Sequence, residues 1–394
     1  MSEQVRHATT AWSTEIRDTG LDGLGADWDD LVGRCATATP FQSYAWLRSW
    51  WRAYGRPGRL RLALVRCDGR LVAAAPLLLQ MRTGCPVLTP LGSPFSDFTD
   101  VLLDDGHEPE TLAAVLAGAL LRLPGWRAVD FPEARPGAAA GSALWRAWPG
   151  GRWRMPASRC LELPCAPVAD LVRDLPTHAR KTVRRRLNQL TRSGIDVREV
   201  AAADAGPAVT GLLGLHARQW RGRGGNPRHL SPAFAGFLGA AVPDMIAGGR
   251  AALYEYRDGG RLVASSLVLL GDHVVGGYLY GADPALREKV DVTTMLLADT
   301  LPLAYARGAV MSMLRGAEPH KLVWQPREVL NERLLLARPG SAAGAAYAAA
   351  ARARRGAVET AKRRAPWLRD ARDRVRSLRS LRSLRSLQSL RGGR

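Results

Sequence analysis

The segment Leu314 to Trp324, LRGAEPHKLVW, brings a cation, an acid, an imidazole and an indole within a few residues of each other. Lysine is scarce in this chain, with only Lys181, Lys289, Lys321 and Lys362 among 56 lysines and arginines. Lys321 beside Glu318, His320 and Trp324 therefore reads as a chosen residue. An ammonium there could bind a phosphate or an acceptor carboxylate, and Glu318 or His320 could act as base. An ordinary surface salt bridge is the competing reading of Lys321. Asp97 and Asp100, in SPFSDFTDVLLD, stand in a loop after a strand. They could orient an acceptor hydroxyl or bond their own backbone, as Asp often does in turns. In PTHARKTVRRRLNQLTRSG, Arg180, Lys181, Arg184, Arg185 and Arg186 could hold a phosphate through paired guanidinium contacts, or form a solvated helix face. Arg218 and Trp220 precede the segment RGRGGNPRHL, which reads as a flap over a site or as a simple exposed loop. Cys35, Cys67, Cys85, Cys160 and Cys165 are odd in number and form no CxxC pair. That argues against a zinc site and against a disulfide framework, so reduced, mostly buried thiols and no metal are expected.

The elements that must position these residues occur twice. Arg61 to Leu79 reads RLALVRCDGRLVAAAPLLL and Arg250 to Leu270 reads RAALYEYRDGGRLVASSLVLL. Each is an apolar run, a turn on Asp-Gly and a second apolar run, the pattern of a β-hairpin, with the second turn two residues longer. Each is followed by a third strand (Val87 to Leu91; Val274 to Tyr280), a helix (Thr111 to Leu123; Val292 to Arg307) and a short strand ending on an acid (Ala128 to Glu133; Val310 to Glu318). The Arg-rich helix starts at Pro176 and Thr177, buries Val183, Leu187 and Leu190, and ends at Gly194. An α/β protein with a duplicated core follows, its length of 394 residues allowing two or three domains.

The net charge of +20 is distributed unevenly, because Ser341 to Arg394 alone carries +12. That tail passes from Ala/Arg-rich sequence to a Ser-Leu-Arg triplet repeat, whose period of three makes no continuous helix face. It reads as a disordered or marginally helical extension, or as a basic arm for an anionic polymer or a membrane surface. No helix-turn-helix, zinc-finger or RNA-binding motif is present, so specific DNA binding is not expected. The amino terminus has no apolar signal region and no segment reaches the length of a membrane span. A cytoplasmic protein, at most peripheral to the membrane, is expected.

The segments ATPFQSYAWLRSWWRAYG, the hairpins, LGSPFSDFTD, the Arg-rich helix, LHARQWRGRGG and LRGAEPHKLVW occur in an order that resembles the GNAT-like acetyltransferases of the CelD/BcsL type, a group associated with cellulose biosynthesis and distantly related to the Fem aminoacyltransferases. The resemblance spans Phe41 to Leu336. It implies two tandem GNAT-like units, each a mixed sheet flanked by helices, at 1–160 and 161–340, with the active cleft in the second and the basic tail at 341–394. It implies transfer of an acyl group, from acetyl-CoA as donor, to a hydroxyl or amine of a saccharide or cell-envelope precursor. On this reading Val274 to Gly281 is the strand that splays from its neighbour, Gly276 and Gly277 permitting a bulge and close backbone approach. Tyr278 and Tyr280, on one face of that strand by its two-residue period, could protonate a leaving thiolate, or simply pack. The usual Gly-rich phosphate turn is replaced by ADPALREKVDVTTMLL, where Arg287 and Lys289 offer charge and Asp291 or Thr293 a helix cap. Gly316, Lys321 and Trp324 match the Gly…Lys…aromatic pattern, with His320 where an aromatic residue commonly precedes the Lys. Two alternatives stand beside this: a Fem-like aminoacyltransferase using aminoacyl-tRNA, and a non-catalytic protein binding an anionic polymer through the Arg180 to Arg186 helix and the tail.

Overall fold

The structure is a computed structural model that describes residues 11–221, 226–316 and 318–364. Its strands are β1 (Trp12–Arg17), β2 (Leu60–Cys67), β3 (Arg70–Arg82), β4 (Cys85–Pro90), β5 (Leu102–Leu103), β6 (Ala128–Ala134), β7 (Arg152–Leu163), β8 (Ile195–Glu199), β9 (Ala251–Asp258), β10 (Arg261–Leu270), β11 (Val274–Ala282), β12 (Val310–Arg315) and β13 (Arg327–Ala337). They join in one mixed sheet in the order β1-β2-β3-β4-β6-β13-β7-β12-β11-β10-β9-β8, with β5 paired to β3.

The order reads the same from both ends. β1 to β4 and β6 mirror β8 to β12, and in each half one parallel pair, β4 with β6 and β11 with β12, stands among antiparallel ones. The last strands are exchanged: β13, from the end of the chain, completes the first half against β6, and β7 completes the second against β12. β7 and β13 pair antiparallel at the centre, so the sheet is continuous and residue 160 falls inside β7.

Both hairpins turn on two residues. Asp68 and Gly69 sit between Cys67 and Arg70, and Gly259 and Gly260 between Asp258 and Arg261, all four with positive φ as this tight turn requires. The expected longer second turn is therefore not found; Asp258 is drawn into the ladder opposite Arg261. Pro76 lies inside β3 at the point where its partner changes from β5 to β4, so its missing N–H leaves no gap in a ladder.

Apolar layers cover the sheet. The helices Tyr44–Tyr54, Ala205–Trp220 and Pro232–Ala247 pack on a face shared by both halves, centred on Phe41, Trp46, Phe234 and Phe237. Val292–Ala306 and Thr177–Thr191 cover the second half, the latter burying Val183 with Leu187 and Leu190 beside it, as its sequence predicts. Part of the expected disordered tail is an ordered helix, Ala342–Arg364. Its Tyr347 reaches the first half, donating to buried Asp130, which also holds Arg333 at 2.8 and 2.6 Å. Alanine-rich sequence has high helix propensity, and this contact anchors it. The triplet repeat lies outside the described residues. Cys35, Cys67, Cys85 and Cys160 are buried and Cys165 is exposed, all free thiols.

At Gly281 the helix Ala205–Trp220 approaches β11 so closely that a Cβ would stand 2.4 Å from the His216 amide nitrogen and 2.7 Å from the Leu212 carbonyl. Both are backbone atoms and cannot swing aside. Gly281→Ala is expected to lower the urea unfolding free energy by about 1–3 kcal/mol through overpacking, and an unchanged midpoint would contradict this packing.

Candidate active site

β11 and β12 hydrogen bond only from Val274–Gly276 to Val310–Ser312. Beyond that they diverge, for two local reasons. On β11, Leu267 faces Leu279 while Val268 faces Gly277, so Tyr278 is an extra residue in the ladder. On β12, the pairing to β7 slips between Ser312 and Arg315, and Leu314 takes a φ of 54°, a conformation rare for a branched side chain. The opening is a cavity of about 180 Å³ lined by Gly277, Tyr280, Thr293, Met313, Arg315 and His320 among others. It shares Tyr280, Thr293 and His320 with an adjoining second compartment of about 280 Å³ that holds Arg185, Arg186, Arg287 and Asp291 at the start of the helix Val292–Ala306.

The bulge corrects one expectation. Val274 and Tyr278 belong to the apolar layer shared by the halves, and so does Leu279, whereas Val275 and Tyr280 belong to the other face. The two-residue period fails at the bulge, and Tyr278 and Tyr280 point to opposite faces. Tyr278 packs edge-on against Trp46 and Phe41 and donates its hydroxyl to the Phe95 carbonyl at 3.2 Å. Burial, with the Asp97 charge, pushes its phenol well above the ordinary range. Tyr278 is therefore half-buried, its hydroxyl tied into the shared layer while the residue still lines the cavity, and Tyr280 is the tyrosine that borders both compartments.

Lys321 lines the cavity but its ammonium is occupied. It donates to the carbonyls of Met313 (3.1 Å) and Gly316 (3.2 Å) and pairs with Glu318 at 2.8 Å. Three donors meet three acceptors, so Lys321 pins the turn after β12 instead of offering a charge to a ligand. Burial pushes the Glu318 carboxyl up, but the hydrogen bond and charge of Lys321 outweigh it and hold the group below its ordinary value. Glu318 is thus an ionised partner of Lys321 and a weak base. His320 is different. Burial and then the charges of Lys321 and Arg287 push its imidazole below its ordinary value, against the pull of Glu318, so it is neutral at neutral pH and free to accept a proton. Trp324, expected to touch substrate, is buried among the apolar residues under the second half.

Gly277 borders the cavity, and Gly276 lies in the last paired position, where a Cβ would press on Leu314 at 2.9 Å. Arg287 enters the second compartment. Lys289 does not; it is held by Asp258 at 2.8 Å, beside a shallow shelf formed with Lys181, Arg184, Arg185 and Arg192. Arg180 turns back to the Arg173 carbonyl and lines neither compartment. Arg218 is exposed on its helix and Trp220 lies near His216, both apart from the cavity. The flap reading falls partly on residues 222–225, outside the described residues.

Asp97 borders the cavity, where it accepts from the Arg315 guanidinium and, at 3.3 Å, from the Arg315 amide. Asp100 is elsewhere. It is buried, accepting from the amides of Val101, Ala139 and Ala140 at 2.8, 2.9 and 2.7 Å, and burial pushes its carboxyl up to about 7 against the pull of those amides. It ties the loop after β6 to the end of the Phe95–Asp100 segment and meets no acceptor. Arg315 is a site residue that no motif marked, and Thr293, read as a possible helix cap, lines the cavity as well. Arg315 was hidden because arginine is so common here that one more carried no signal.

Helix Ala205–Trp220 supports the splayed strand from behind. His216 Nδ1 donates to the Tyr280 carbonyl at 2.8 Å, and Gln219 Oε1 accepts from the Ala282 amide at 2.9 Å. The backbone around Tyr280, paired with β10 but no longer with β12, is thereby held. Among the described residues no cluster of His, Cys, Asp and Glu could hold a metal ion, and no helix is long and apolar enough to cross a membrane.

Residues 177–322, which contain the cleft's lining except Asp97, match the family described as the Acetyltransferase (GNAT) domain. This stretch of the chain is similar to a GNAT domain. The fold is also that of FemX (13% identity, TM-score 0.56, covering 79% of this chain and 95% of that one) and of a conserved protein of unknown function from Bacteroides thetaiotaomicron (12%, 0.54, 82% and 100%). No curated protein matches the chain in sequence. The GNAT match lies in the second half, the half whose splay is open.

Asp100→Asn sets an NH₂ group against the Ala139 amide, two donors facing each other. A loss of about 1–3 kcal/mol in unfolding free energy is expected, with ligand binding at the cleft retained. Loss of binding at unchanged stability would return Asp100 to the site.

Proposed function

We propose that the cleft transfers an acyl group, acetyl from acetyl-CoA, to a hydroxyl or amine of a saccharide or cell-envelope precursor. The observation that carries this reading is the splay of β11 from β12, which opens a cavity between unpaired backbone and a neutral imidazole and joins it to a basic compartment. The residues fit the donor. Arg186 Nη1 is buried without a hydrogen-bond partner, 3.3 Å from Asp291, and Arg185 and Arg287 line the same compartment. Three guanidiniums suit a diphosphate. The helix behind them contributes less, because Asp291 already caps it by accepting from the Thr294 amide at 2.9 Å. Side-chain arginines thus take the place of the main-chain amides of a Gly-rich turn.

When bound, acetyl-CoA supplies the activated acyl thioester. The protein supplies orientation and proton handling. Backbone groups of β11 beyond Gly276 face the cleft without a partner on β12, and donors so placed can stabilise a developing oxyanion without reorganising. His320 accepts the proton of the acceptor hydroxyl or amine, and Tyr280, on the other side of the junction, holds a phenolic proton for the leaving thiolate. Apolar Leu296, Leu297, Met311 and Met313 keep water from the reacting atoms.

A second reading, an aminoacyl-tRNA donor, is favoured by the shelf of Lys181, Arg184, Arg185 and Arg192, a space of about 770 Å³ that continues the basic track beyond the compartment. RNA would use that length of track. The two readings differ in whether CoA binds.

Thermal unfolding with CoA or acetyl-CoA separates them, since a ligand at 100 times its Kd adds about 2.7 kcal/mol to the folded state. A shift that shrinks in Arg185→Gln/Arg287→Gln supports the acetyltransferase; no shift at millimolar ligand transfers the assignment to aminoacyl-tRNA. Once turnover is measurable, His320→Gln is expected to lower kcat by about 10²–10⁴-fold. The kcat/KM of the unsubstituted enzyme should fall with acid through a value below the ordinary histidine value of about 6.5, because the base must be neutral. An acid limb centred above the ordinary histidine value, or one unchanged in His320→Gln, would remove His320 as base.

A further inference from the structure

A larger concavity lies outside the cleft. A groove of about 820 Å³ runs between the end of β3, the edges of β6 and β7 and the helix Ala342–Arg364, and five arginines, Arg82, Arg228, Arg333, Arg354 and Arg355, line it with one carboxylate, Glu133. Two of the arginines are committed: Arg333 to Asp130, and Arg355 to Glu359 at 2.9 Å. Arg82 donates to Gln80 and stands 3.9 Å from Asp130. Arg228 and Arg354 are exposed and have no ionic partner among the described residues. Three elements far apart in sequence thus bring Arg82, Arg228 and Arg354 to one hollow with little to neutralise them. Like charges held together are unfavourable, and no apolar packing requires them there. Met81, 60% exposed at the rim, adds an apolar contact.

The groove and the cleft share a wall. Glu133 accepts from Ser158 Oγ at 2.7 Å and Asn331 Nδ2 at 3.1 Å, and stands 3.7 Å from Arg315, which borders the cavity. The basic compartment of the donor lies beyond the cavity, at His320 and Arg287. One arginine-lined site suited to an anion therefore sits on each side of the cavity.

We infer that the groove holds the anionic end of the acceptor, a group with two or more closely spaced phosphate or carboxylate charges, a diphosphate being its most compact form. The inference rests on the acyl-transfer reading for the word acceptor; the anion site itself does not. Guanidiniums from separate elements suit such a group because each can present a two-pronged fork to different oxygens. Closure by the helix Ala342–Arg364 gives that helix a role in binding, beyond the anchoring contact of Tyr347.

The experiment is calorimetric titration with inorganic pyrophosphate at 0.15 M salt, made in the Arg185→Gln/Arg287→Gln background so that the donor compartment is already weakened. Binding that persists there and falls about tenfold or more on adding Arg82→Gln/Arg354→Gln is expected, given the strength of charge-assisted contacts. Both arginines are solvent-accessible at their tips, and far-UV circular dichroism checks the fold. Affinity unmoved by the groove substitutions overturns the inference. Citrate in place of pyrophosphate, binding with the same dependence, supports a carboxylate-bearing acceptor in the same groove. A 20-nucleotide RNA that binds through Arg82 and Arg354 where pyrophosphate does not overturns the small-acceptor assignment. CoA-induced stabilisation is recorded on proteins that keep Arg185 and Arg287, with and without Arg82→Gln/Arg354→Gln. Its absence with groove binding intact removes the acetyl-CoA donor alone, and its presence with groove binding absent removes this inference alone.

Discussion

The pairing of β7 with β13 is the constraint on which the rest of the molecule depends. Each strand belongs by chain order to one half and by hydrogen bonding to the other. Removing either would expose the edge of a long sheet on both sides of the gap. The exchange also fixes where the halves meet, and polar groups must be satisfied there because they are withdrawn from water. Glu162, 2% exposed on β7, is held by Arg135 from the first half and Arg327 from β13. Asp97 is held by Arg315, and Glu133 by Asn331 and Ser158. A buried acid left without these partners would be strongly destabilising, so the pairs work as register marks across the joint.

The two halves share a topology but differ in their openings. After β4 the first half continues into Leu91, Phe95 and Phe98, whose side chains fill the shared apolar layer. Phe95 stacks toward Phe234, and its carbonyl receives the Tyr278 hydroxyl. The same segment brings Asp97 to the margin of the second half's cavity. One half has become a wall for the other. The bulge at Tyr278 serves both purposes: it sends one tyrosine into the aromatic core that joins the halves and leaves the next, Tyr280, at the reacting junction.

The proposed donor side follows from how the helix Val292–Ala306 begins. A helix N-terminus preceded by glycine presents bare amides to a phosphate. Here Asp291 caps the helix from the position before it, and positive charge arrives on the side chains of Arg185 and Arg186, from a helix more than a hundred residues earlier in the chain, and of Arg287. Guanidiniums on flexible stems accept a wider range of anions than a fitted amide cradle, which is consistent with either an acyl-CoA or an RNA-borne donor.

The duplicated hairpins, the helix over Thr177–Thr191 with its Val183 stripe, and the mixed α/β character were legible in the sequence because they depend on local periodicity and on Asp-Gly or Gly-Gly turns. So was the neighbourhood of the cleft: Gly277, Tyr280, Arg287, His320 and Lys321 all lie at it. Roles were less legible than places. Lys321 stood out by rarity, yet its three donors are taken by two carbonyls and Glu318. Asp100 and Trp324 read as candidate site residues and are buried away from the cavity, while Tyr278 was separated from Tyr280 by one extra residue in a ladder. The strand exchange, the shared apolar layer and the arginine groove were decided only by tertiary structure. Each brings together residues far apart in the chain, and the free energy that places them comes from closing the sheet and burying apolar surface, which no local pattern of residues encodes.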